Sequence, residues 1–189
     1  CYQDMWEEFR PYYGNTVFTF WVDEPNYDNN YMPWPDNMPE VFEKRWGYKI
    51  TDKLPQLFFP IDDYKTVRYQ YRVTLQKMME EAYFTVIRDW CAENGVSFSG
   101  HLMNEDGLLS QILRAGAVMP YYKYFDIPGI DILEADMPWR YGAIKEPHPR
   151  EDLGRNESDG EYYTPMSTLG QYTTPLQLTS AAHQAGKEH

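Results

Sequence analysis

Val17-Phe18-Thr19-Phe20-Trp21-Val22 is β-branched or aromatic at every position, and Asp23-Glu24-Pro25-Asn26 follows at once. Opened by Gly14-Asn15 and closed by Pro25, the run predicts a strand buried on both faces, as in parallel sheets. Two more strands are expected. In Val96 to Leu102, Val96, Phe98 and Gly100 alternate with Ser97, Ser99 and His101, giving one apolar face and one small, polar face. The third, Gly129 to Leu133, is introduced by Pro128.

Helical spacing fills the intervals. Tyr71, Leu75, Met79, Ala82, Val86 and Trp90 recur every three or four residues, which predicts one helix from about Thr66 to Asn94. Asp62 or Asp63 is its expected cap, and Asn94-Gly95 its left-handed stop. A short helix from Asn37 to Gly47 and a turn near Lys53 to Phe58 precede it. After Asp106, Leu108, Leu109, Ile112 and Leu113 predict a helix that runs to Pro120. Thr174-Pro175 is expected to open a last helix through Ala181, Ala182 and His183. Residues 134–172 read as a loop insertion.

Strand, helix, strand, helix, strand, helix implies right-handed βαβ crossovers and an α/β fold with a parallel sheet. Doubly wound sheets and (β/α)8 barrels both fit that order. A phosphate-binding Rossmann or P-loop site needs a glycine-rich turn after the strand, and Asp23-Glu24-Pro25-Asn26 has none. The expectation is therefore a partial (β/α)8 TIM barrel. A whole barrel takes about 250 residues, so residues 1–189 are expected to be a fragment holding about three consecutive βα units of one domain. A start at Cys1 and an end at His189, just after a helical pattern, agree with that reading.

The chain carries 29 acidic and 17 Lys or Arg side chains, a formal charge of −12. That balance opposes binding to nucleic acid or to anionic membranes. No apolar run approaches the roughly 20 residues needed to cross a bilayer. Cys1 and Cys91 form neither a disulfide framework nor a zinc spacing, and Cys91, beside the apolar stripe of the long helix, is expected to be a buried structural residue. His101, His148, His183 and His189 show no metal-ligand spacing. Asn156-Glu157-Ser158 matches a glycosylation sequon. The 17 Tyr and 6 Trp suit a bulky core and equally suit surfaces that stack on sugars.

In parallel α/β folds, loops leaving the C-terminal ends of the strands build the site. Those ends carry Asp23 and Glu24, His101 and Glu105, and Asp131 and Glu134. Any one of them suits a solvated rim. Together, beside Trp21, Tyr27, Trp34 and Trp139, they suit a polyol or sugar, with carboxylates on hydroxyls and aromatics on ring faces. Asp23-Glu24-Pro25 carries most weight, because Pro25 cannot extend the ladder and turns the chain just after two acids.

Several motifs resemble a known family. Phe18 to Tyr27, Trp46-Gly47-Tyr48 with Leu54-Pro55-Gln56-Leu57-Phe58, Arg68-Tyr69-Gln70-Tyr71, Ile87-Arg88-Asp89-Trp90-Cys91, Gly100-His101-Leu102 with Glu105, Ile127-Pro128-Gly129-Ile130-Asp131 and Ser180-Ala181-Ala182-His183-Gln184 look, in order and spacing, like the catalytic barrel of α-L-rhamnosidase-type glycoside hydrolases, family 106 and its relatives. The resemblance covers nearly the whole chain. It implies a (β/α)8 barrel within a larger multidomain enzyme that hydrolyses O-glycosidic bonds in plant or microbial glycans with carboxylates. It implies Glu24 as a catalytic carboxylate and Glu105 as a second catalytic or calcium-facing one. Asp23, Trp21, Tyr27, Trp34, His101, Asp131 and Trp139 are the expected substrate contacts. The expected partners are an oligosaccharide or glycoside and the remaining barrel and accessory domains of the parent chain. The sequence itself requires no cofactor; the resemblance brings in Ca2+, bound near the sugar in some members. Residues 134–172 depart from the short connection expected there, and the strand that would carry a further acid lies past Lys187. A non-catalytic carbohydrate-binding relative of the same barrel is the alternative.

Overall fold

The computed structural model describes residues 8–27, 32–105, 108–131 and 165–187. Within them β1 (Thr19–Val22), β2 (Ser97–Gly100) and β3 (Ile127–Pro128) pair in parallel in the order β1-β2-β3. Phe20 lies beside Phe98, and Trp21, Ser99 and Ile127 form a row across the sheet. Parallel neighbours require a crossover, and helices provide it. Between β1 and β2 the chain forms α1 (Met38–Trp46), a 3-10 turn (Ile50–Lys53), α2 (Leu54–Phe58), α3 (Tyr64–Met79), a π-helical turn (Glu80–Phe84) and α4 (Thr85–Glu93). Between β2 and β3 lie α5 (Leu108–Arg114) and α6 (Met119–Tyr122), and α7 (Pro165–Gln184) comes last.

The strands are shorter than the sequence pattern suggests. The first begins at Thr19 rather than Val17, because Val17 bridges back to Tyr13 around the turn at Gly14. It is not buried on both faces. Phe20 meets Trp90 of α4 at 5.2 Å, and Val22 and Phe98 join Phe84, Ile87 and Cys91 in the core, while Trp21 and Ile127 on the other face are half exposed. Ser99, between them in the same row, is buried.

The third strand starts at Ile127 rather than Gly129, because Asp126 docks it early. Its N–H donates to the Phe98 carbonyl at 2.8 Å, and its carboxylate accepts the Phe98 N–H at 2.9 Å. Pro128 then has no N–H to give, and Gly129 donates to the Gly100 carbonyl instead, at 2.9 Å, which ends the regular ladder. Ile132 and Leu133 lie outside the described residues.

The long helical path runs from Tyr64 to Glu93, as the periodicity predicts, but its inward stripe changes partway. Val67, Tyr71 and Leu75 are buried before the π turn, and Glu80, Phe84, Ile87 and Cys91 from it onward, while Ala82 and Val86 face solvent. A π turn holds one extra residue, which rotates the following stripe by about 100°, the angle of one residue. Cys91 is therefore in the core, as expected, and burial pushes its thiol up to about 11, with Asp126 adding to the rise.

Asn37 and Asp63 occupy N-cap positions without capping through their side chains, and Asp63 pairs instead with Lys53 at 3.1 Å. The helix expected to reach Pro120 ends at Arg114, ahead of the left-handed Gly116, and Pro120 sits in the first turn of α6, where a missing N–H costs nothing. The last helix begins at Pro165, not at Thr174, and contains Pro175. Pro165 takes the first-turn role that suits proline, so 165–172 belong to a helix and not to the loop insertion. Residues 134–164 lie outside the described set, as do Glu134, Trp139, His148, Asn156 and His189.

Two apolar clusters hold these elements. One lies between the sheet, the π turn, α4 and α6, where Phe84 meets Tyr121 at 4.6 Å and Phe125 at 5.6 Å. The other gathers Met38, Phe42, Ile50, Leu57, Val67, Tyr71 and Leu75 among α1, α2 and α3. Glu80 is buried in the π turn and accepts from Lys77 at 2.7 Å and from Lys123 and Tyr124 at 3.0 Å. Burial raises its carboxyl, but these three donors outweigh it and hold the group below the usual carboxylate range. No described helix is long and apolar enough to cross a membrane.

Candidate functional site at the carboxyl edge of the sheet

Each strand delivers polar groups to the same end of the sheet, and local backbone geometry makes them converge. Successive strand residues point to opposite sides, so Asp23 and Glu24 would diverge on a regular strand. Glu24 instead adopts φ +49°, a left-handed conformation rare outside glycine, and Asn26 Nδ2 braces the turn by donating to the Glu24 carbonyl at 2.7 Å. Asp23 Oδ1 then lies 2.8 Å from His101 Nε2. Donor atoms of Glu24, His101 and Asp131 all lie within 4.8 Å of one another, with Nε2 3.8 Å from Asp131 Oδ2.

His101 is buried, while Asp23 is largely exposed. A carboxylate can only accept, so in the 2.8 Å contact His101 Nε2 donates to Asp23. Nδ1 is buried with no hydrogen-bond partner among the described residues, 3.7 Å from Glu105 Oε1.

Glu105 is buried behind the histidine. Its Oε2 accepts the Leu102 N–H and its Oε1 accepts the Asp131 N–H, both at 2.6 Å, so one carboxyl ties the loop after β2 to the loop after β3. Burial pushes this carboxyl up to about 7, against the two main-chain donors and His101, and Asp131 adds to the rise. The Glu105 carbonyl is clamped from behind by Gln111 Nε2 and Thr174 Oγ1, each at 2.7 Å. Gln111 and Thr174 are contributions that sequence reasoning missed, because nothing in their spacing marks them.

Glycine sets the floor. At Gly100, φ +153°, a Cβ would lie 2.3 Å from the Val22 carbonyl oxygen and 2.6 Å from Val22 Cγ2. At Gly129 it would lie 2.8 Å from the Trp21 ring, so the absent side chain lets the indole lie across β3 toward the rim. The Trp21 ring centroid is 5.7 Å from that of His101, and the residue is 51% exposed.

Of the residues singled out in the sequence, Asp23, Glu24, His101 and Asp131 come together beside Trp21, with Glu105 beneath. Tyr27 is placed differently: it is buried, and its hydroxyl hydrogen-bonds that of Tyr121 at 3.0 Å. Trp34 stacks on Tyr71, with ring centroids 6.4 Å apart, and lines an apolar cavity of about 470 Å³ with Met32, Pro39, Thr51, Leu54 and Phe58, none of which belongs to the carboxylate cluster. Trp139 lies outside the described residues.

Three acids with open lone pairs and one imidazole, next to an exposed indole face, can accept hydrogen bonds from several hydroxyls of one ligand while the ring covers an apolar flank. For calcium, which takes six to eight oxygens, two clustered carboxylates and a nitrogen are a poor fit, and no step is derived through that ion. Comparison with known protein families, with curated proteins and with solved structures found no match to this chain.

Proposed function

We propose that this chain forms part of a carbohydrate site of the glycoside hydrolase type, α-L-rhamnosidase-like, on a partial (β/α)8 barrel. One observation carries the reading: three successive parallel strands bring Asp23 and Glu24, His101, and Asp131 to one rim beside Trp21. The half-exposed Trp21 and Ile127, on the sheet face opposite Val22 and Phe98, support the barrel, since that face would line its interior. Glu24 is the catalytic carboxylate. Asp23, His101 and Asp131 grip hydroxyls, and Trp21 stacks on the sugar. Glu105 acts as a positioning residue, since both of its oxygens hold main-chain N–H groups.

Glu24 and Asp131 are closer than the roughly 6.5 to 9.5 Å that an inverting acid and base need to admit water between them. With inversion, the partner of Glu24 would come from a strand beyond the described residues. The commitment of Glu105 to the backbone also favours a second reading, a non-catalytic carbohydrate-binding relative. Hydrolysis of a panel of aryl glycosides, α-L-rhamnoside included, by the natural chain carrying these residues and by its Glu24→Gln variant tests both. Turnover lost by about 100-fold or more in the variant supports the enzyme. Sugar binding without turnover in the wild type supports the binding protein, and neither binding nor turnover refutes the proposal.

A further inference from the structure

We infer that Glu24, His101 and Asp131 form a binding site for a borderline divalent transition cation such as Zn2+, held through Nε2 of His101 and the two carboxylates. The inference does not rest on the sugar reading. The donors are one imidazole and two carboxylates within 4.8 Å of one another, the mixed nitrogen and oxygen set that zinc accepts in sites with an open position. Bonds of about 2.0 to 2.2 Å in a tetrahedral site put neighbouring donors roughly 3.3 Å apart. Nε2 and Asp131 Oδ2, at 3.8 Å, need to close by only about half an ångström to meet that spacing. Glu24 is half-buried at the rim.

A second observation comes from the far side of the imidazole. His101 contacts Asp23 through Nε2, and its Nδ1 is buried with no hydrogen-bond partner among the described residues, 3.7 Å from Glu105 Oε1. When a cation takes the Nε2 lone pair, the single imidazole proton resides on Nδ1 and points at Glu105 Oε1, giving the carboxylate, histidine and metal arrangement that orients metal-bound histidines. Asp23, 2.8 Å from Nε2 in the metal-free site, gives up that contact when the cation binds.

The test is calorimetric titration of the 189-residue chain with Zn2+ and, separately, with Ca2+ near neutral pH, together with the visible absorption of bound Co2+. One equivalent of Zn2+ is expected, bound at least about 100-fold more tightly than Ca2+. His101→Gln and Asp131→Asn should each weaken Zn2+ at least about tenfold and change the Co2+ spectrum, while His183→Gln should leave both unaltered. Should His101→Gln unfold, judged by circular dichroism, the rim variants Asp131→Asn and Glu24→Gln decide the matter by the same criteria. No uptake of Zn2+, equal affinity for Ca2+, or Zn2+ binding unaltered in the folded variants would overturn the inference. Because Zn2+ and the proposed sugar would use the same side chains, hydrolysis is assayed on the metal-free protein and scored separately from these readouts.

Discussion

Gly100 joins the fold to the site, and replacing it with alanine should damage both. Its carbonyl accepts from Gly129, and its Cα is packed so closely against β1 that an added Cβ would lie 2.3 Å from the Val22 oxygen and 2.6 Å from Val22 Cγ2. Ordinary carbon contacts need roughly 1 Å more, and the obstacles are a backbone oxygen and a β-branched side chain, neither of which rotates away. Overpacking of this kind costs about 1 to 3 kcal/mol, and holding alanine at a φ suited to glycine adds about 1 to 2 kcal/mol. A total of about 2 to 5 kcal/mol is a large part of the roughly 5 to 15 kcal/mol that holds a domain folded. Gly95→Ala is the control: it carries the left-handed penalty alone, with nothing within 4 Å of the new Cβ, and should cost only about 1 kcal/mol. Urea unfolding of wild type, Gly100→Ala and Gly95→Ala measures all three. If Gly100→Ala loses no more stability than Gly95→Ala, the close approach of β1 and β2 is wrong.

Glu80 is held below the usual carboxylate range, so its contribution is present above the unfolded-state value and is lost as pH falls through the folded value. Acid titration of stability should show this loss in wild type and a shallower slope in Glu80→Gln. The same substitution, which leaves Lys77, Lys123 and Tyr124 with a weaker acceptor, should cost about 1 to 3 kcal/mol near neutral pH in urea unfolding. Cys91 is fully buried, with its thiol raised to about 11, so thiol reagents should label it only at the rate of unfolding, which mass spectrometry after timed alkylation can follow.

The strand order was legible because hydrophobic runs and turn residues are local signals: the run ending at Val22 and the alternation around Phe98 both lie in the sheet. The convergence of Asp23, Glu24, His101 and Asp131 was legible for the same reason, as strand ends in a parallel sheet share one edge. What could not be read depends on contacts distant in sequence. The π turn at Glu80 follows from a buried carboxylate meeting Lys123 and Tyr124, and it moved the inward stripe from Val86 to Phe84 and Ile87. The early start of β3 depends on Asp126 bonding Phe98, and the burial of Tyr27 on Tyr121. Glu105 looked like a rim acid by its distance from β2. The loop folds back instead, so that its carboxyl satisfies two buried N–H groups that would otherwise be costly to bury.

The most direct test of the proposed carbohydrate site is a crystal structure of the Glu24→Gln protein soaked with a non-hydrolysable thio-α-L-rhamnoside. One sugar is expected at the carboxyl edge of the sheet, with its hydroxyls on Asp23, His101 and Asp131 and one face against Trp21. Sugar bound only in the apolar cavity beside Trp34, or no sugar at the rim at saturating ligand, would contradict it.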